Sequence, residues 1–185
     1  MKELVNDPIY KKLETDYDEL LLDYILLGLD GEYMGEESHK EAVIAAITCL
    51  GTRERVGNCY DRGAFTMEPE QMRWERIDVD DFFYEGNNGW ILTPEEILYK
   101  ESADQMNYWY AFFEPPYGTP YTVEDFRKIN HMLFPVSQKD LEIYRWNDAF
   151  SDYFDDGKEW WGTAMWSVYD KAMRRFVVIG ASLSD

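Results

Sequence analysis

The C-terminal stretch constrains the fold most, because two apolar runs there are separated by a short polar break. Trp161–Tyr169 and Arg175–Leu183 are rich in strand-forming residues, and Asp170–Arg174 has the length of an ordinary hairpin loop. The run Leu141–Trp146 is a third candidate strand. The sequence therefore predicts an antiparallel sheet in this part of the chain.

The first helix signal lies near the N-terminus. Asp7 and Pro8 fit the N-cap and first helical positions, and apolar residues then recur at helical spacing as far as Tyr24. Gly28 is placed to end the helix. We expect a first helix that continues from Pro8 into the Tyr24 region.

Further helix signals follow at intervals. Residues 38–51 begin with a Ser-x-x-Glu capping box, and we expect this helix to form a hairpin with the first one. Residues 93–100 and 122–133 also begin with capping patterns. Residues 106–113, in contrast, are rich in aromatic strand formers, and we interpret them as a strand followed by a loop.

These patterns predict one α+β domain with N-terminal helices packed on a mainly C-terminal antiparallel sheet. The helical part spans about residues 1–104 and the strand-rich part about residues 105–185. A chain of 185 residues suits a single domain, and 45% hydrophobic residues allow a sizeable core without staples.

The charge balance restricts the classes of molecule that the protein is expected to bind. Thirty-seven acids against eighteen bases give a net charge of −19, which repels nucleic acid and anionic lipid and favours a basic protein. No window reaches the roughly 18 consecutive apolar residues of a spanning helix. Two cysteines form no disulfide framework, and no signal stretch is recognisable, so we expect a cytoplasmic protein.

One stretch, between Thr52 and Gly89, is locally basic. Two interpretations stay open: internal pairing with neighbouring acids such as Asp78, Asp80 and Asp81, or an anion site. The basic residues in question are Arg53, Arg55, Arg62, Arg73 and Arg76.

Signals for a metal or cofactor are absent from the sequence. The candidate zinc ligands His39, His131, Cys49 and Cys59 lack the usual spacing. The acids around Asp156 do not match an EF-hand loop, and no glycine-rich phosphate-binding motif is present. We therefore predict no metal and no cofactor, and we favour a non-enzyme over an enzyme.

The densest candidate site is a run of tryptophans and carboxylates near the C-terminus. Large rings beside acids suit a packed hairpin or a recognition surface, and the rings anchor a contact only where they are exposed. The predicted partner-binding residues are Trp146, Asp152, Asp155, Asp156, Glu159, Trp160 and Trp161.

The same region is similar to a block of residues in other proteins. Residues 153–162, together with 166–170 and 178–185, resemble a C-terminal block found in a family of small uncharacterised bacterial proteins. That resemblance implies no activity, cofactor or catalytic residue. The acidity, size and lack of a signal are similar in type to those of bacterial toxin-neutralising immunity proteins.

Three functions follow as hypotheses. The first is a protein-binding protein, an immunity-like or antitoxin-like inhibitor that occludes a basic partner. The alternative is a small carboxylate-dependent hydrolase, with or without a divalent cation. A third is a protein that associates with its own copy. Partner or substrate identity and oligomeric state lie beyond the sequence.

Overall fold

A computed structural model describes residues 1–52, 64–83, 107–159 and 161–183 of the chain. The helices within these ranges are α1 (Pro8–Asp16), α2 (Glu36–Thr52), α3 (Val79–Phe83), α4 (Tyr108–Phe113), α5 (Val123–Leu133) and α6 (Asp155–Lys158). The strands are β1 (Lys2–Glu3), β2 (Asp23–Gly28), β3 (Trp74–Ile77), β4 (Leu141–Trp146), β5 (Gly162–Asp170) and β6 (Arg175–Leu183).

The described strands form one antiparallel sheet in the order β1-β2-β6-β5-β4-β3. Strands β5 and β6 pair along their whole length, from Gly162 opposite Leu183 to Asp170 opposite Arg175. This confirms the predicted α+β fold, the C-terminal hairpin and the strand at Leu141–Trp146. The N-terminal part of the chain contributes three further strands, β1, β2 and β3.

Both faces of the sheet are covered, which explains why β5 and β6 are almost continuously buried. On one face, side chains such as Ile25 and Phe176 cluster with the buried residues of α2, including Ala46. On the other face, Trp166 and Val177 cluster with buried residues of α1, α3, α4 and α5. The sheet is therefore the middle of three layers.

The predicted first helix is only partly correct. Asp7 caps α1 by accepting a hydrogen bond from the Ile9 backbone nitrogen, and Pro8 occupies the first turn as expected. The helix ends at Asp16, however, and Asp23–Gly28 is strand β2 between β1 and β6. The predicted helical hairpin is therefore wrong, because the run after Leu22 is buried more fully as a strand inside the sheet than on one helix face.

The predicted strand at residues 106–113 is also wrong. Tyr108–Phe113 forms helix α4, which begins where the Asn107 side chain accepts a hydrogen bond from the Tyr110 nitrogen at 2.7 Å. Four of its six residues are buried, including Trp109 and Phe112. Packing of these rings against the second face of the sheet outweighs their strand propensity.

Two predicted helices are confirmed. Helix α5 begins with the expected capping box, in which Thr122 and Asp125 satisfy each other's backbone nitrogens. Helix α2 is confirmed as an element, but its predicted Ser38–Glu41 capping box is wrong, because the helix already begins at Glu36. Ser38 lies in the first turn, where its hydroxyl accepts a hydrogen bond from the Met34 nitrogen. The helix predicted at residues 93–100 lies outside the described residues.

Candidate functional site

The acidic segment, defined here as residues 148–159, lies across one end of the sheet. The Tyr153 hydroxyl donates to Asp23 Oδ2 at 2.9 Å, and the Gly157 nitrogen donates to Ser182 Oγ at 3.1 Å. A Cβ atom on Gly157 would overlap the carbonyl oxygen of Gly162, so α6 packs directly against strand backbone. The acidic segment is thus held firmly against β5 and β6.

Two of its carboxylates are used inside the fold. Asp148 Oδ2 accepts a hydrogen bond from the Thr163 hydroxyl at 2.8 Å. Asp152 Oδ1 accepts one from the Thr66 backbone nitrogen, also at 2.8 Å. Asp152, a predicted partner-binding residue, therefore has a structural task in holding residues 64–67 against the acidic segment.

The other acids of the segment face outward. The Asp155 side chain is 64% exposed and pairs with Lys158 at 3.0 Å, while Glu159 is exposed and Asp156 is half-exposed. The outward charge of this surface therefore comes from Asp155, Asp156 and Glu159, reduced by the one lysine between them.

The predicted tryptophans do not share one environment. Trp146 is buried, and its indole nitrogen donates to Ser167 Oγ at 2.8 Å, so its predicted role as an exposed anchor is wrong. Trp160 lies outside the described residues. Trp161 is half-exposed, and its indole nitrogen donates to the Glu114 carbonyl oxygen at 2.5 Å. Of the predicted rings, Trp161 thus lies at the surface beside the outward acids.

Trp161 brings a second loop to the acidic segment. Its ring lies nearly parallel to that of Tyr110 on α4, with the ring centroids 6.2 Å apart and the planes inclined by 14°. Its hydrogen bond holds Glu114, which leads into the turn Pro115–Gly118. The end of α4 and the turn after it are therefore attached to the C-terminal edge of the acidic segment.

Tyr117, in that turn, is an exposed ring on a strained backbone. Gly118 donates to the Pro115 carbonyl at 2.9 Å, both prolines are buried, and Tyr117 has φ 68° with 91% of its surface exposed. The left-handed conformation costs a non-glycine residue roughly 1–2 kcal/mol. We call Tyr110, Tyr117 and Trp161 the aromatic platform: the Tyr110 and Trp161 rings are stacked, and Tyr117 follows by three residues the Glu114 carbonyl that Trp161 binds.

Sequence reasoning missed Tyr117, although a signal for it exists. In a type II turn the third residue needs a positive φ, and proline is common at the second position. The order Pro115-Pro116-Tyr117-Gly118 therefore places a tyrosine where glycine or asparagine is usual. An aromatic residue at that position is the detectable anomaly.

A second candidate site is a buried chain of polar side chains around His39. His39 Nδ1 lies 2.8 Å from Ser167 Oγ, and His39 Nε2 lies 3.0 Å from the Tyr33 hydroxyl. Tyr33 is in turn hydrogen-bonded to Glu142. Ser167 also accepts the hydrogen bond from Trp146.

The Glu142 end of this network determines the hydrogen-bond directions as far as His39 Nε2. The ionised Glu142 carboxylate can only accept, so Tyr33 donates to Glu142 and accepts from His39 Nε2, which therefore carries a proton. At the other end the Trp146 indole can only donate to Ser167. In the neutral imidazole, His39 Nδ1 then accepts from the Ser167 hydroxyl.

Burial lowers the pKa of the His39 imidazole to about 4, against the opposing effect of Glu142 and with a smaller contribution from Arg76. Desolvation raises the pKa of Glu142, but hydrogen bonds from Tyr33 and Tyr144 outweigh it and bring that pKa below its usual value. The two shifts favour a neutral imidazole beside an ionised carboxylate.

The hydrogen-bonded side chains around His39 are too buried to form a catalytic site. A serine within 2.8 Å of an imidazole nitrogen has the spacing of a nucleophile and its base. Ser167, however, lies in the middle of β5 with 0% of its surface exposed and with both Trp146 and His39 bonded to its hydroxyl. The arrangement joins α2 to the sheet, and no substrate reaches it.

The predicted basic stretch is described only in part. Arg53, Arg55 and Arg62 lie outside the described residues. Arg73 donates to the backbone carbonyl oxygens of Glu70 and Met72 at 2.8 Å each, and the charge of Arg76 acts on Glu142. Both interpretations of the basic stretch, pairing with neighbouring acids and an anion site, therefore stay predictions.

Within the described ranges, no group of three or more histidine, cysteine, aspartate or glutamate side chains is arranged to hold a metal ion. None of the helices in the described part combines the length and apolar character that crossing a membrane requires. No protein-family profile, curated protein or solved structure matches the chain.

Proposed function

We propose that this chain is a protein-binding protein that docks a basic partner on the acidic segment and the aromatic platform. The observation that carries the proposal is Tyr117, whose ring is exposed on a backbone conformation disfavoured for tyrosine. Such strain persists only where surrounding structure imposes it, and it clusters at binding and switch sites. Contact between the ring and a partner explains why a tyrosine occupies this strained position.

Electrostatics support the same surface. The net charge of −19 attracts a basic protein from a distance, and the carboxylates Asp155, Asp156 and Glu159 precede the platform's Trp161 by two to six residues. Because Gly157 and Tyr153 hold the segment against the sheet, little ordering is needed when a partner binds. Charge then sets the rate of association, and the rings supply anchoring contacts.

Within this proposal the protein acts as an immunity-like or antitoxin-like inhibitor in the bacterial cytoplasm. Its small size and its acidity support that class. The alternative, a carboxylate-dependent hydrolase, stays a prediction, and two of its candidate carboxylates, Asp148 and Asp152, carry structural hydrogen bonds.

The proposal is tested by affinity capture from a lysate of the native host at low and moderate salt, followed by mass spectrometry. We expect one basic protein at stoichiometric yield. The association rate of that protein is then measured with the variant Asp155→Asn, Asp156→Asn, Glu159→Gln, and we expect it to fall most at low salt.

A matched control removes three exposed acids from the opposite end of the sheet: Glu32→Gln, Glu37→Gln and Asp140→Asn. This variant has the same change in net charge and should associate faster than the first one. The proposal fails if no basic protein is retained, or if both variants slow association equally.

A further inference from the structure

The ring of Trp161 has no free hydrogen-bond donor for a partner. Its indole nitrogen, the one hydrogen-bond donor of the side chain, is engaged by the Glu114 carbonyl oxygen. The ring is half-exposed and lies nearly parallel to Tyr110, which is also half-exposed. These two residues therefore offer π-faces and ring edges to the solvent.

Two exposed glutamates are close to these rings along the chain. Glu114 precedes Tyr117 by three residues, so their backbones lie within about 10 Å of each other, and its carbonyl accepts the Trp161 hydrogen bond. Glu159 precedes Trp161 by two residues, and both glutamates are exposed. Exposed negative charges are therefore within reach of the same partner side chains as the rings.

We infer that the aromatic platform recognises arginine side chains of the partner. The inference rests on the proposed function, since it specifies the chemistry of the partner at the same surface. A planar guanidinium stacks on an aromatic face and directs its N–H groups sideways to carboxylates such as Glu114 and Glu159.

Lysine matches this surface less well. Its ammonium group is a compact and strongly hydrated charge, which pairs with carboxylates but gains little from the flat faces of the rings. An acidic surface without rings would accept both residues on the basis of charge. The platform of Tyr110, Tyr117 and Trp161 therefore provides a preference for arginine over lysine.

The test uses two fluorescein-labelled peptides of equal length and charge, in which arginine or lysine alternates with glycine and serine. Binding is measured by fluorescence anisotropy at low and moderate salt. We expect the protein to bind the arginine peptide about tenfold more tightly than the lysine peptide. In the Tyr117→Ser variant this preference should be smaller than in the wild type, because one of the three rings is lost.

Met34→Ser is the matched control, because Met34 is a similarly exposed large side chain at the opposite end of the sheet. This variant should keep the preference for arginine. The Asp155→Asn, Asp156→Asn, Glu159→Gln variant should weaken binding of both peptides and should still prefer arginine, because its three rings and Glu114 are intact.

Equal affinities for the two peptides, or a preference that Tyr117→Ser leaves undiminished, would overturn the inference. Failure of both peptides to bind would overturn it as well. The proposed function is judged separately, because a basic protein captured from the lysate with charge-dependent association supports it whatever the peptides do.

Discussion

Arg175 Nη1 lies 3.1 Å from Asp7 Oδ2, and this ion pair joins residues 168 positions apart. Both side chains are largely withdrawn from solvent, at 6% exposure for Arg175 and 17% for Asp7. Asp7 also caps α1, and Arg175 Nη2 donates to the Leu133 carbonyl oxygen at 2.6 Å at the end of α5. One guanidinium therefore connects two helices to the start of β6.

Replacing Arg175 with Met should lower the free energy of unfolding by about 3–5 kcal/mol, because Asp7 and the Leu133 carbonyl lose their partner in a largely buried position. Urea denaturation measures the change. Arg174→Met is the control, since Arg174 is exposed and makes one long hydrogen bond to Gly31. Equal losses in the two variants would contradict the assigned role of Arg175.

Stability should fall on mild acidification because of His39. Its pKa is about 4 in the folded chain and about 6.5 when unfolded, so the unfolded state binds the extra proton first. The His39 contribution is complete above pH 6.5 and is lost as the pH falls towards 4, with a loss of about 2 kcal/mol between pH 7 and pH 5.

Unfolding free energies at several pH values test this contribution. The His39→Gln variant should show a flatter pH dependence than the wild type across that window. His131 is exposed on α5, and His131→Gln should keep the wild-type slope because His39 is intact there. The same slope in the His39 variant would show that other groups cause the dependence.

Gly157→Ala should destabilise the protein by about 1–3 kcal/mol, because the added Cβ meets backbone atoms of Gly162 and Leu183 that cannot move independently of the sheet. Thermal unfolding gives the change. Gly31→Ala is the control, since nothing lies within 4 Å of its added Cβ. Similar results for the two variants would mean that α6 does not pack as closely as described.

Tyr117→Gly should be more stable than Tyr117→Ala by about 1 kcal/mol, because both variants remove the ring and glycine alone tolerates φ 68° without strain. Chemical denaturation of the pair measures the difference. Both variants should lose affinity for the partner equally. If alanine and glycine give the same stability, the turn is unstrained and the main support for the proposed function is removed.

Elements whose signals are local could be predicted from the sequence. The Thr122–Asp125 capping box sets the start of α5, and the polar break at Asp170 separates two strands. Asp170 Oδ1 accepts hydrogen bonds from the Ala172 and Met173 nitrogens, which closes the turn without help from distant residues. These features depend on neighbours within a few positions.

The candidate site was predicted less completely. The acids Asp155, Asp156 and Glu159 were identified, and they face outward. Trp146 was included although it is buried, because composition does not reveal which side of a strand faces a helix. The sequence does not single out Tyr117 as a binding residue, because its importance depends on the exposure of its ring and on the hydrogen bond that attaches Glu114 to Trp161.

Local patterns along the chain are enough to predict the α+β class, the C-terminal hairpin, the start of α1 and the acidic character of the surface, because capping, turn chemistry and charge act over short distances or by simple sum. The strand at Asp23–Gly28 and the helix at Tyr108–Phe113 depend instead on packing against distant parts of the fold. Both are short apolar runs with ambiguous periodicity, and the face of the sheet that buries them settles their conformation.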